Sequence, residues 1–175
     1  MPPEEVPIIQ KRIVQSCRDF GIPVVVATQM LDSMVESPSP TRAEASDVAT
    51  AVFDAADCLM LSAETASGKF PVESVKIMNR IIRGVESDVS YRQILESKQI
   101  KLEETTSDAI SSAASQVVKT VFAKAIFTYT RSGATAKRAA RERPTVPIIG
   151  LSPERITARQ LALIWGVHTI HALEP

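Results

Sequence analysis

A chain of 175 residues, 45% of them hydrophobic, is large enough to bury a core, either as one domain or as two small ones. The 20 Lys and Arg residues balance the 20 Asp and Glu residues and form no basic run, which argues against a nucleic-acid-binding protein. No apolar stretch approaches the roughly 20 residues that cross a bilayer, and the N-terminus lacks a signal-peptide pattern. We therefore expect a cytoplasmic protein with no membrane or nucleic-acid partner.

The first half of the chain alternates helical and strand patterns. Apolar residues recur at helical spacing over residues 4–20, and Gly21 follows as a candidate C-cap. "IPVVVA" predicts a buried parallel strand, and a second helix begins at a capping box formed by Thr41 and Glu44. "CLML" predicts the next strand, and Pro71 suits the first turn of a helix that continues to about residue 86.

Residues 87–104 are rich in charge and weak in periodicity, so we expect a domain boundary there. Beyond it the chain again alternates between two types of segment: helices over 106–122, 133–143 and "SPERITARQLALIW", and strands over "AIFTYT", "VPIIGL" and "VHTI". Such alternation is typical of parallel sheets, so both halves predict an α/β fold.

Four strands end in a small polar residue: Thr28, Ser62, Thr130 and Ser152. Ligands bind at the carboxyl ends of strands in α/β folds, but Ser and Thr are also favoured as helix caps. Capping is the better interpretation of Ser152, while the pattern around Thr130 fits anion binding and capping equally well. For Thr28 and Ser62 the local pattern alone indicates a cap or a turn.

Three segments together carry a family resemblance: "VVVATQMLDSM", "PSPTRAEASDVATAVFDAADCLMLSAETASGKFPVESV" and "TRSGATA". They resemble the pyruvate kinase family, and the likeness runs from about residue 3 to the end of the chain. The resemblance implies phosphoryl transfer from phosphoenolpyruvate to ADP, which gives pyruvate and ATP in glycolysis. It also implies Mg²⁺ and K⁺ as cofactors, with their ligands on family segments that this sequence does not contain.

On that template the fold is α/β, with the last strands and helices of a (β/α)8 barrel followed by a small parallel-sheet domain. The implied domains are 1–86 (end of the barrel), 87–104 (linker) and 105–175 (an incomplete C-terminal domain). Since most of the active site would be missing, we expect the 175 residues alone to be inactive. The alternative function is a non-catalytic module that binds a sugar phosphate and mediates oligomerisation.

The resemblance assigns three residues to the active site. Thr28 matches a threonine beside the carboxylate and reacting carbons of phosphoenolpyruvate, where its hydroxyl would orient substrate or help to protonate the enolate. Ser62 and Glu64 match the floor of the same site, with a hydrogen-bonding or proton-relay role. No metal ligand is assigned. Ala63 replaces the Gly usual in the family, a change that matters only if the backbone φ is positive there.

Two further sites follow from the same resemblance. Arg42 matches a contact between subunits of a homotetramer, although an exposed arginine beside a capping box explains the sequence equally well. The loop that grips a sugar-phosphate effector in allosteric members matches six residues: Thr130, Arg131, Ser132, Gly133, Ala134 and Thr135. Hydroxyls, backbone N–H groups and a helix N-terminus suit a phosphate.

Overall fold

The computed structural model describes residues 2–27, 29–97, 100 and 104–172. Its contacts divide the chain into two compact units. The first unit comprises Met1–Gln15 and Val24–Gln99, and the second comprises Ser16–Pro23 and Ile100–Pro175. Both units contain a parallel sheet with helices, so the predicted α/β fold class is confirmed.

The first unit holds most of the elements that the sequence predicts, with shorter strands. In chain order the described elements are α1 (Val6–Asp19), β1 (Val25–Ala27), α2 (Arg42–Phe53), β2 (Cys58–Met60), α3 (Ala63–Ala66), α4 (Pro71–Glu86) and α5 (Val89–Ser97). Short 3-10 turns lie at Pro3–Glu5 and Asp32–Val35. The last residues of α1 group with the second unit, and Gly21 ends this helix with φ +63°. The predicted C-cap is therefore confirmed.

Strands β1 and β2 are parallel neighbours, with Val25 opposite Cys58 and Ala27 opposite Met60. Their carboxyl ends therefore lie at the same edge of the sheet. Beneath this edge the core contains residues of the strands, the connecting loop and three helices: Val14, Val26, Met30, Leu31, Met34, Val48, Ala51, Ala56 and Met78. Because Met30, Leu31 and Met34 are almost completely buried, the loop after β1 is anchored by its own side chains.

Helices α3 and α5 were not expected from the sequence. Helix α3 is a single turn directly after β2, in a segment whose Ser, Gly and Pro residues predict only a turn. Helix α5 lies inside the predicted boundary region, where Tyr91 and Leu95 bury their side chains against α2 and α4. The Tyr91 ring meets Phe53 edge to face, with ring centroids 6.1 Å apart. Two buried residues one turn apart are too weak a pattern to indicate a helix by themselves.

The second unit contains α6 (Thr106–Val121), β3 (Ile126–Tyr129), α7 (Ala134–Arg141), β4 (Ile148–Ser152), α8 (Arg155–Leu161) and β5 (Val167–His171). The three strands form a parallel sheet in the order β3-β4-β5. Helix α8 ends earlier than its sequence pattern predicts, because Ile164 turns into the core just before Gly166 adopts a positive φ.

One face of this sheet carries the core of the second unit. Helices α7 and α8 pack there, and the buried cluster consists of Ala136, Ala139, Ala140, Ile148, Leu161, Ile164 and Val167. On alternate strand positions Phe127, Tyr129 and Ile170 remain 70%, 46% and 51% exposed. Within the described residues this second face is therefore apolar and open, whereas parallel sheets are normally covered on both faces.

Candidate functional site

The carboxyl ends of β1 and β2 place two of the predicted active-site segments side by side. Thr28 directly follows Ala27, the last residue of β1, but itself lies outside the described residues. Ser62 follows β2 by two residues and is exposed. Its hydroxyl makes no capping bond to α3, so the capping role that the local pattern allowed is not observed. The structure leaves this hydroxyl at the edge where substrates bind in α/β folds.

Glu64 is buried at the same edge, with only 2% of its surface exposed. Its Oε1 accepts a hydrogen bond from the Leu31 backbone N–H at 3.2 Å, and its Oε2 accepts one from the Ser62 N–H at 2.7 Å. Leu31 belongs to the loop after β1, and Ser62 belongs to the loop after β2. One carboxylate thus joins the two loops that carry the predicted site.

The turn between α3 and α4 also contacts the loop after β1. The Lys69 N–H donates to the Val35 carbonyl at 2.8 Å, and the Lys69 ammonium pairs with Glu36. A Cβ atom at Gly68 would lie 2.7 Å from the Glu64 carbonyl oxygen, so this tight return of the chain requires glycine. Ala63 begins α3 and is not among the residues with positive φ, so its methyl group is accommodated without strain.

A second carboxylate organises the loop between β1 and α2. Glu44 accepts hydrogen bonds from the Ser33 N–H and hydroxyl, both at 2.6 Å, and from the Thr41 N–H at 2.7 Å. The Thr41 hydroxyl caps α2 in return, which confirms the predicted capping box. Burial raises the pKa of Glu44, but the hydrogen bonds from Ser33 and Thr41 outweigh it and lower the pKa to about 2. Arg42 lies in the first turn of α2 with its side chain exposed.

In the second unit, the predicted phosphate loop connects β3 to α7. The buried Thr130 hydroxyl accepts a hydrogen bond from the Gly133 N–H at 2.9 Å, so it holds the turn itself. The Thr157 hydroxyl donates to the Arg131 carbonyl at 2.7 Å, and the Ser132 hydroxyl accepts from the Ala134 N–H at 3.4 Å.

The remaining groups of this loop differ in exposure. The side chains of Arg131, Ser132 and Thr135 are exposed, while Ala134 is half-buried. Helix α7 begins at Ala134, and the first N–H groups of a helix have no partner within the helix. The loop therefore presents a guanidinium, two hydroxyls and a helix N-terminus on its outer side.

Sequence reasoning missed a buried charge cluster in the second unit. The Asp108 carboxylate is 1% exposed and accepts from Arg141 Nη2 at 2.7 Å and from Arg138 Nε at 3.1 Å. Burial raises the pKa of the neighbouring Glu142, although the guanidinium groups of Arg141 and Arg18 oppose that shift. Asp108 lies about 30 residues from both arginines, so spacing along the chain gives no signal of this pairing.

The residues that the structure describes form no group of three or more His, Cys, Asp or Glu able to hold a metal ion. Each carboxylate oxygen of Glu64 already accepts a hydrogen bond from a backbone N–H group. Over the same described ranges, no helix combines the length and the apolar character that a membrane span requires.

Comparison with known proteins gives two family matches. Residues 1–75 match the family described as pyruvate kinase, barrel domain, and residues 108–174 match pyruvate kinase, alpha/beta domain. The pyruvate kinase of Methylorubrum extorquens is 54% identical over 170 residues, which are 97% of this chain and 36% of that protein. The pyruvate kinase of Geobacillus stearothermophilus is 46% identical over 98% of this chain and 29% of its own length.

A solved structure agrees with the sequence comparisons. The crystal structure of a pyruvate kinase from Cryptosporidium parvum superposes with a TM-score of 0.92 at 38% identity. The superposition covers 98% of this chain and 35% of that one. The chain thus spans about a third of the length of the curated relatives it matches.

Proposed function

Because the chain belongs to the pyruvate kinase family, we propose that it forms part of an enzyme that transfers a phosphoryl group from phosphoenolpyruvate to ADP. The products are pyruvate and ATP, as in glycolysis, and the location is the cytoplasm. The observation that carries this proposal is the Glu64 carboxylate, which joins the loops after β1 and β2 at one edge of the sheet. The catalytic and binding residues of a (β/α)8 barrel lie at the carboxyl ends of its strands.

The chain supplies the floor of the pocket and the protonation side of the reaction. After phosphoryl transfer the enolate of pyruvate must gain a proton at carbon. The Thr28 hydroxyl orients the substrate or takes part in delivering that proton, and Ser62 contributes a hydroxyl to the floor. Mg²⁺ and K⁺ neutralise charge on the phosphoryl group when bound, and their ligands come from parts of the family fold that this sequence does not contain.

Regulation and assembly are part of the same proposal. A sugar-phosphate effector binds the loop from Thr130 to Thr135, and the exposed Arg131 side chain supports the recognition of an anion. The enzyme is a homo-oligomer, a tetramer in the family, in which Arg42 takes part in a subunit contact. The exposure of these same loop groups also favours the second candidate function, a sugar-phosphate-binding module without chemistry.

A chimera tests the catalytic proposal. The 170 residues that match the Methylorubrum extorquens pyruvate kinase are exchanged for those of this chain, and pyruvate formation is followed in a coupled assay. We expect turnover by the chimera and none by the 175 residues alone. Thr28→Ala should lower kcat by about 100-fold, in the range of a lost proton-transfer group.

Thr50→Ala is the matched control, because Thr50 is a helical residue whose hydroxyl donates to the Ser46 carbonyl away from the strand ends. It should leave kcat within about twofold of the chimera, as surface substitutions usually do. A folded chimera without turnover would refute the catalytic proposal for this chain. Equal rates for Thr28→Ala and Thr50→Ala would remove Thr28 from the mechanism.

A further inference from the structure

We propose that Glu64 is a positioning residue that fixes the two strand-end loops relative to each other and takes no part in proton transfer. The inference deepens the proposed function and rests on it, since the loops matter because they carry Thr28 and Ser62. It is carried by two hydrogen bonds that converge on one buried side chain from segments about 30 residues apart in sequence.

The geometry makes the carboxylate the meeting point of the two loops. Leu31 lies three residues after Thr28 and is completely buried, so its N–H has no access to water. Glu64 Oε1 satisfies this N–H at 3.2 Å, while Oε2 satisfies the N–H of Ser62 at 2.7 Å. A buried N–H that loses its acceptor is costly, so the loop after β1 depends on this side chain for its position. The bond to the Ser62 N–H ties the same side chain to the loop after β2.

The chemistry of the two partners argues against a proton relay. Both partners are N–H donors, and an ionised carboxylate offers only acceptors. The two donors are therefore paired with two acceptor oxygens when Glu64 is charged. A proton on either oxygen would make that oxygen a poorer acceptor and weaken one of the two bonds. Passing a proton through Glu64 would therefore loosen one loop at the moment when the site must hold its substrate.

The neighbouring contacts support the same role. The Lys69 N–H donates to the Val35 carbonyl at 2.8 Å, and the Lys69 side chain pairs with Glu36, so the turn after α3 is also linked to the loop after β1. Gly68 brings the chain back against the Glu64 carbonyl, which fixes the direction of α3. Glu64 is thus buried between segments that are also joined by these neighbouring contacts.

Hydrogen–deuterium exchange on the full 175-residue chain tests the positioning role without any need for activity. In Glu64→Gln one acceptor becomes an NH₂ donor, so one loop loses its bond. Either loop can be the one that loses its bond, so we expect exchange over residues 29–36, over 61–69 or over both to rise by about tenfold or more, while exchange in α2 and α4 stays unchanged. Glu73→Gln is the matched control, because Glu73 is an exposed residue of α4, and it should change neither region.

Exchange that stays at the wild-type level over both 29–36 and 61–69 in Glu64→Gln would overturn the proposal, as would an equal rise in every segment. If Glu64→Gln does not fold, the same exchange measurement on Glu64→Asp tests the proposal, because this variant keeps the charge and shortens the side chain by one methylene. A rise confined to 29–36 and 61–69 supports positioning, and no local rise refutes it.

The pH profile of the chimera separates positioning from a relay. A positioning role predicts that Glu64→Gln lowers kcat at every pH without moving the limbs of the pH–kcat profile. Loss or displacement of a limb would identify a proton-transfer group and overturn the proposal. A chimera with no turnover would count against the proposed function alone, since the exchange experiment still decides the role of Glu64.

Discussion

Replacement of Gly133 by alanine should strongly destabilise the second unit. Gly133 precedes α7 with φ +84°, and an added Cβ would lie 3.1 Å from Cδ2 of Leu161 and 3.4 Å from Cγ2 of Thr157. The left-handed conformation costs a non-glycine residue about 1 kcal/mol. Crowding against a completely buried Leu161 adds about 2 kcal/mol, so we expect a loss of about 3 kcal/mol.

Gly166→Ala isolates the backbone contribution, because Gly166 also has a positive φ of +67° but no atom within 4 Å of the added Cβ. This variant should lose only about 1 kcal/mol. Urea unfolding followed by fluorescence measures both losses, since Trp165 is the one tryptophan of the chain and belongs to the second unit. Equal shifts of the two midpoints at constant m would refute the contact with Leu161.

Two further predictions concern buried and hydrogen-bonded carboxylates. The folded pKa of Glu44, about 2, lies below its ordinary value of 4.5, so the stabilisation by this carboxylate is complete above about pH 4.5 and disappears as the pH falls towards 2. Acid titration of the unfolding free energy should show a contribution on the order of 2 kcal/mol that is absent in Glu44→Gln. Asp108→Asn leaves the buried Arg141 charge with only the more distant Glu142 carboxylate, 4.0 Å away, as a counter-ion, and should cost about 3 kcal/mol in urea unfolding. The exposed Asp47→Asn should cost little. A loss for Asp108→Asn no larger than that for Asp47→Asn would contradict this reasoning.

Local chemistry made several parts of the fold predictable. The capping box at Thr41, the proline at the start of α4 and the glycine after α1 each act within four residues of their own position. Such signals are fully contained in a short stretch of sequence. The α/β class was predictable for a similar reason, because few other fold classes alternate short β-branched strands with helices along the chain.

The parts that sequence reasoning missed depend on distant partners. Helix α5 is held by Tyr91 packing on α2 and α4, so its own periodicity is weak. The bonds from Leu31 to Glu64 and from Arg141 to Asp108 each join residues 33 positions apart. No spacing rule selects one carboxylate among many at such a distance. Glu64 was predicted as a site residue through family resemblance, but its partners became visible only in three dimensions.

The composition of the second unit has a practical consequence for anyone who wishes to express it separately. Residues Ser16–Pro23 belong to this unit although they precede β1 in the chain. Arg18 Nε donates to the Arg141 carbonyl, and Arg141 Nη1 donates to the Asp19 carbonyl, both at 3.2 Å. A polypeptide that starts at residue 100 therefore lacks both partners at the end of α7. A linker that joins 16–23 to the later segment would restore them in a single recombinant chain.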